Sequence, residues 1–509
     1  MSAVISNPIV WADVPDPCVI RVGSAFYMVS TSMHSMPGCP ILKSVNLRDW
    51  ELIGYVYDTL EDNEAHRLQD GRGIYGKGSW AACLRQHGGW FHVCFSSNDM
   101  DRFYMYRTRD IERGPWERHV MPGLLHDPSL LFDDGRVYVI HGNGDIRITE
   151  LTADATARLP GGVDRLLLAT ETEGIGLCCE GCHAFQRNGF YYLFFIEWPR
   201  TGNRRRRQLV YRSQRLLGPY ERRELLDDDL GYRNNGVAQG GIVDDGLGGW
   251  HAVLFQDHGA VGRVPCVVPV TWEDDWPVFG VDAKAPLSYA TGLPASAPQP
   301  LAASDEFDYG SDRLGLFWQW NHNPDPRLWS VTERPGYLRL RTGMLASSVE
   351  YARNTLTQRT EGPACSASVL LDAAGLLPGD RAGLAALSSQ FGLIGLRAEA
   401  DGKRSVVMAV KGEDGGELVR ESRPYAKDCI FLRLDCRFEE GEDIAEFFYS
   451  EDGAAWERLG PPLEMAYTLH HFMGYRFGLF CYATEHAGGF ADLDYFRYRK
   501  VSGRTAADG

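Results

Sequence analysis

The sequence predicts an all-β protein, a five-bladed β-propeller followed by a β-sandwich. Three observations carry that expectation. The first is a frame that recurs five times, with an anchor eleven positions ahead of an aromatic residue: Asp16 before Tyr27, Trp80 before Phe91, Asp127 before Tyr138, Glu180 before Tyr191 and Gln239 before Trp250. Successive anchors lie 64, 47, 53 and 59 residues apart, the spacing of blades built from a few short strands each. The second is period-2 patterning, as in Val137-Tyr138-Val139-Ile140 and Tyr191-Tyr192-Leu193-Phe194-Phe195, which suits strands and disfavours a helical solenoid. The third is a change of composition: Pro286, Pro294, Pro298 and Pro300 punctuate an Ala- and Ser-containing stretch, after which alternating runs resume.

In chain order, Asp13-Val14-Pro15-Asp16-Pro17 forms an Asp-Pro corner ahead of a short apolar strand, a turn at Gly23 and a second strand. Outer elements echo between blades one, two and four. Lys43-Ser44 leads to Asp49-Trp50-Glu51, Arg107-Thr108 to Pro115-Trp116-Glu117, and Arg212-Ser213 to Pro219-Tyr220-Glu221. Blade three is expected to end near Leu159 and blade five near Phe279. The propeller therefore spans 1–281, a linker 282–304, and the sandwich 305–500, with a frayed tail over 501–509. Runs such as Tyr337-Leu338-Arg339-Leu340-Arg341 and Asp492 to Tyr498 suit sandwich strands with one wet face.

Bulk properties narrow the function. A chain of 509 residues exceeds one ordinary core, and 44% apolar with 12% aromatic residues suits a strand-rich globular protein. A net charge of −16 argues against nucleic acid and anionic membrane as partners and suits a neutral substrate such as sugar. No charged-then-apolar leader precedes Asn7-Pro8-Ile9-Val10-Trp11, and no apolar run reaches membrane-spanning length, so the expected location is the cytoplasm. Twelve cysteines without a regular framework fit reduced thiols. Cys179 and Cys182 form a lone CxxC, too few ligands for zinc, and read as buried thiols. Arg204 to Arg207 read as a solvated face or, alternatively, as a subunit contact of a homo-oligomer.

Three of the five anchors are carboxylates: Asp16 in Asp16-Pro17, Asp127 in His126-Asp127-Pro128-Ser129, and Glu180 in Glu180-Gly181-Cys182-His183. Asp-Pro is a common turn starter, so each acid alone could be structural. Three at equivalent positions of three blades must converge near one axis, and like charges are not gathered for stability. Glycoside cleavage needs such a group: one acid protonated to assist the leaving oxygen, one ionised to activate water or attack carbon, and a third to tune the first.

These corners, with the Gly78-to-Ala81 segment Gly-x-Trp-Ala and Arg85, resemble glycoside hydrolase family 43. The resemblance implies a five-bladed propeller with a C-terminal concanavalin- or jelly-roll-like sandwich, acting as an inverting β-xylosidase or α-L-arabinofuranosidase on short xylan-derived oligosaccharides. It implies Asp16 as general base, Glu180 as general acid and Asp127 as the modulator that tunes and orients Glu180. Trp80, Arg85, His34, Trp198 and Arg263 are candidate substrate-binding residues, Arg263 reaching a sugar hydroxyl or the Asp127 carboxylate. The chain departs from the pattern in blade five, where Ala238-Gln239-Gly240-Gly241 stands in place of a Gly-His corner. The resemblance implies a calcium ion near the axis, with His258 and Gln239 as its candidate partners; a hydrogen-bonded core histidine is the alternative for His258. Asn321 to Asp325 could form a loop over the propeller mouth. A carbohydrate-binding propeller without chemistry, or a retaining fructan-type glycosidase, are the rival readings; the latter carries Asn-Asp-Pro-Asn and Arg-Asp-Pro motifs that differ from those here.

Overall fold

The computed structural model describes residues 2–501 apart from 298 and 440. Five four-stranded antiparallel sheets follow one another along the chain. Their first strands are Cys18–Val22, Cys83–His87, Ser129–Asp133, Ile175–Arg187 and Ala238–Asp244. Each first strand packs against the next and the fifth returns to the first, so these strands ring the axis. Turn chemistry fixes the inner hairpins. Gly88-Gly89, Asp134-Gly135 and Asn188-Gly189 join first to second strands with positive φ at both positions, the two-residue geometry that matches strand twist and that Asn-Gly and Asp-Gly supply. The outer echoes fall where one strand hands over to the next. Ser44, Thr108 and Ser213 end third strands, and Glu51, Glu117 and Glu221 begin fourth strands. Blade three is longer than expected, because Asp164–Ala169 supplies its fourth strand beyond Leu159.

The expected linker holds a strand. Ser288–Pro294 pairs antiparallel with Ser2–Ser6, and Leu293 and Ile5 bury their side chains in one cluster with Val14 and Trp50. Proline and serine content hid this strand, because Tyr289, Thr291 and Leu293 carry its pattern between the prolines. Residues 502–509, most of the expected tail, lie outside the described residues.

The second region is a sandwich of two large antiparallel sheets enclosing one apolar core. The run Cys429–Arg437 alternates buried and partly exposed positions along its length, as a strand with one core face must. One sheet extends into the propeller: Gln319–Asn321 pairs with Leu356–Arg359 on one side and with Ser35–Met36 of blade one on the other. The two regions thus share a sheet. No helix among the described residues is long and apolar enough to cross a membrane.

Candidate active site

The acids stand on backbone corners at one mouth of the axis. Asp16 and Asp127 take left-handed backbone, φ 52° and 46°, as does Gln239 at φ 61°. Asp tolerates that region better than most residues, so the strain is modest and held in place by the strands that follow. Glu180 reaches the same cavity differently. Asp16 lies six positions before Val22, where its hairpin closes on Ala25, and Asp127 six before Asp133, which closes on Arg136. Glu180 lies seven before Arg187, and the left-handed residue is Gly181, φ 65°. A one-residue slip would turn the side chain to the other face. Irregular pairing between Leu177 and Glu180, and again between Glu180 and His183, absorbs it. The constant eleven-residue spacing therefore covers two different registers.

One cavity collects Asp16, Asp127 and Glu180 with Trp80, Gln239 and Arg263. The buried Arg263 guanidinium donates to Asp16 Oδ1 at 2.8 Å and Oδ2 at 3.1 Å, and Thr31 Oγ1 donates to Oδ2 at 2.5 Å. A carboxylate offers about four lone-pair sites, so Asp16 keeps room for a water. Glu180 Oε2 accepts from Asn143 Nδ2 at 2.5 Å and lies 3.0 Å from His126 Nε2. Both partners use Oε2, which leaves Oε1 to face a reactant. Asp127 Oδ2 accepts the Gly181 backbone N–H at 3.0 Å, tying it to the peptide next to Glu180, and lies 3.7 Å from His126 Nε2.

Burial pushes the Asp127 carboxyl up to about 7, with the charges of Glu180 and Asp16 adding to the rise and His126 opposing it. The Asp127 charge in turn lifts His126 to about 9, against the effect of burial and with help from Glu180. These groups share protons as one unit.

The cavity has a roof from the sandwich. Phe472, itself left-handed at φ 56°, stacks on Trp80 at 5.7 Å and sits 4.7 Å from the Arg263 guanidinium, which also donates to the Phe472 carbonyl at 3.3 Å. Two residues on, the Gly474 N–H donates to Asp13 Oδ2 at 2.9 Å, while Asp13 Oδ1 accepts the Arg263 N–H at 2.8 Å. Asp13 thereby binds blade one, blade five and the roof together.

This geometry has relatives. Residues 5–277 match the model of glycosyl hydrolases family 43, and residues 304–499 match the β-xylosidase C-terminal concanavalin A-like domain. The chain belongs to family 43. A solved structure of a bifunctional GH43-CE protein of Bacteroides eggerthii superposes with TM-score 0.92 at 43% identity over 99% of this chain, which spans 64% of that longer chain. A β-xylosidase of Formosa agariphila is 29% identical over 97% of this chain and 90% of its own length. A non-reducing-end α-L-arabinofuranosidase of Bacteroides ovatus is 30% identical over 66% of this chain and 64% of its own. The protein is therefore a glycoside hydrolase, and the family-43 resemblance read from its corners holds.

Within this family 43 site the candidate binding residues separate into groups. Trp80 and Arg263 line the acid cavity, Arg263 paired with Asp16 and not with Asp127. Arg85 does not line it. Its guanidinium donates to the carbonyls of Leu84, Leu130 and Ala184 and to Ser129 Oγ, binding three blades together from the axis. His34 is also elsewhere, packed between Tyr75 at 4.6 Å and His322 at 4.9 Å where the propeller meets the sandwich. Its neighbour Met33 takes the place expected for it in the cavity wall. Trp198 stands on the exposed rim, its indole N–H donated to the Arg204 carbonyl at 2.9 Å and Arg206 lying 5.5 Å over its ring.

Among the described residues, no oxygen-rich group suited to calcium gathers around His258 and Gln239. His258 Nε2 is 2.8 Å from Gln256 Oε1, and its ring stacks on Tyr232 at 3.9 Å and meets Trp11 edge-on at 5.6 Å. Calcium prefers six or more oxygens, about 2.3–2.6 Å away, and a histidine enclosed by aromatic rings does not fit it. Gln239 lines the acid cavity on its own. The Asn321–Asp325 segment does not cover the mouth. His322 Nε2 accepts the Ile74 N–H at 2.8 Å and Asn323 donates to the Glu61 carbonyl at 2.7 Å, so it docks beside blade two.

Arg204 of the arginine run is exposed, but the other three are half-buried and paired. Arg205 pairs with Asp227 at 2.5 Å, Arg206 with Asp257, and Arg207 with buried Glu197 at 2.5 Å and with Glu224 at 2.8 Å. Arg206 also reaches the cavity wall. The CxxC thiols are buried, as expected, with Cys179 Sγ 3.8 Å from Glu197 Oε1. His126, Asn143, Thr31 and Phe472 escaped sequence reasoning. His126 is adjacent to a named acid, but Asn143 ends a second strand, Thr31 lies two residues beyond another and Phe472 is in the sandwich, where only tertiary structure unites them.

Asp127→Asn is expected to lower the His126 titration midpoint from about 9 toward the ordinary value, read by histidine NMR shifts. Both raised groups bind protons more tightly folded than unfolded. Asp127 therefore withdraws stability as pH rises from 3.8 to about 7, and His126 withdraws its contribution between 6.5 and about 9. Stability measured by denaturant unfolding should fall less steeply from pH 4 to 9 in the variant. An unchanged slope would remove Asp127 from the proton-sharing group.

Proposed function

We propose that this enzyme is an inverting, exo-acting glycosidase that removes xylose or arabinose from the non-reducing ends of short xylan- or arabinoxylan-derived oligosaccharides. The observation that carries the proposal is a cavity holding two differently engaged carboxylates, Asp16 and Glu180, beneath the Phe472 roof. A site covered on one side in this way suits a chain end. Named relatives include a β-xylosidase and a non-reducing-end arabinofuranosidase, and one site can serve both sugars because their hydroxyl patterns are similar.

In this mechanism Asp16 takes a proton from water as that water attacks the anomeric carbon. Glu180 gives the proton on Oε1 to the glycosidic oxygen as its bond to carbon breaks. Thr31 and Arg263 aim the base; Asn143 and His126 hold Oε2 so that the acid presents its other oxygen. Asp127 fixes the Gly181 peptide and sets the charge around the acid. The cycle closes when solvent returns a proton to Glu180 and takes one from Asp16. Trp80 offers a ring to a sugar face, and Trp198 and Arg206 stand on the rim where a leaving sugar would pass.

Xylotriose followed by NMR tests this reading. Xylose and xylobiose should appear together, and the first xylose should be the α anomer, since a β linkage is inverted. A first product in the β form would mean retention. Cleavage of an oligosaccharide blocked at its non-reducing end would mean endo action.

A further inference from the structure

We propose that Glu350, His470 and His471 form a binding site for a divalent transition metal of the zinc class, one that fastens the roof loop carrying Phe472. The three offer one ligand atom each within 4.8 Å of one another. Glu350 Oε1 lies 3.6 Å from His470 Nε2 and 3.6 Å from His471 Nε2. Those separations are too long for hydrogen bonds. They suit ligand atoms about 2.0–2.2 Å from one tetrahedral ion, which stand roughly 3.4 Å apart.

Two of the three atoms are buried without a partner. Glu350 Oε1 and His471 Nε2 make no hydrogen bond, although each residue is more than nine-tenths buried. Leaving such atoms facing one another without a bridge is unfavourable. His470 is 62% exposed and supplies both an entry path and a third ligand, and a solvent-facing fourth position can take water. The remaining surroundings orient the ligands. Lys411 Nζ lies 2.6 Å from Glu350 Oε2 and so turns Oε1 toward the histidines; as a cation it also weakens the site for metal. Tyr75 stacks on His471 at 4.0 Å and donates to the Glu350 carbonyl at 2.5 Å.

The position gives the metal its consequence. His470 and His471 immediately precede Phe472, and Gly76 approaches the His470 carbonyl so closely that a Cβ there would stand 2.5 Å from it. An ion bridging the loop to Glu350 of the sandwich would order the ring that covers the acids.

The full chain, stripped with chelator, is titrated with zinc chloride by calorimetry, beside His470→Gln, whose side chain is exposed and accepts no hydrogen bond from the protein. We expect one saturable zinc per wild-type chain, at least tenfold weaker binding in the variant, and equal metal-free kcat in both. Hydrogen exchange in residues 466–474 should slow with zinc in the wild type alone. No saturable binding in the wild type would overturn the proposal. Equal affinity in the variant would also overturn it, and would place the ion at the other cluster of suitable groups, His126, Asp127 and Glu180.

Discussion

Glu180→Gln is expected to cut turnover of unactivated xylo-oligosaccharides by about 10³-fold while lowering turnover of 4-nitrophenyl glycosides far less. The amide keeps the shape and the Asn143 contact to one side-chain oxygen, so the cavity should survive. What is lost is the proton that Glu180 would supply. A nitrophenolate leaves without protonation and a sugar alkoxide does not, so the loss should scale with the basicity of the leaving group. Comparing kcat/KM across aryl xylosides of graded leaving-group acidity reads this directly. A parallel drop across the whole series would take Glu180 out of the acid role.

Asp16→Asn is expected to behave in the opposite way, slowing every substrate by about 10²–10⁴-fold whatever its leaving group, because each turnover needs water activated. It should also destabilise the fold, since Arg263 is buried and Asp16 is the carboxylate that hydrogen-bonds it. Removing one member of a buried ion pair costs about 3–5 kcal/mol, and the amide oxygen can recover part of that. Thermal melting beside kinetics separates the two effects. Azide should not rescue the variant with retained configuration; a glycosyl azide of that kind would require a covalent intermediate on a carboxylate other than Asp16, and so a retaining mechanism in which Asp16 is not the base that activates water. A folded variant with near-normal turnover on aryl substrates would refute the base assignment.

Much of the fold was legible because its signals are local. Period-2 runs and corners act over a few residues, and the corner frame recurs five times. The acids were legible for the same reason, since each sits on a corner whose backbone the local sequence dictates. What could not be read were partners brought together by ring closure. Arg263 follows Asp16 by 247 positions, and the sequence pointed instead to a sugar hydroxyl or Asp127 as its partner. Arg85 looked like a sugar ligand because nothing local shows that three blades present carbonyls to its guanidinium. The strand Ser288–Pro294 was hidden because its partner is the first five described residues, nearly the full propeller away. The one-residue slip at Glu180 was invisible because equal spacing in sequence does not require equal spacing in the sheet.

The shared sheet and the Asp13 contacts also bear on how the molecule is made. Ser35–Met36 leaves the ribosome long before its partner Gln319–Asn321, and Asp13 waits for Gly474. A nascent chain can close its ring once Ala238–Asp244 meets Cys18–Val22, after which Ser288–Pro294 pairs with Ser2–Ser6. It then carries chemistry without a lid until the last few dozen residues are synthesised. Messages truncated before residue 472 would accordingly yield a protein with the reactive groups and none of the roof that limits them to a chain end.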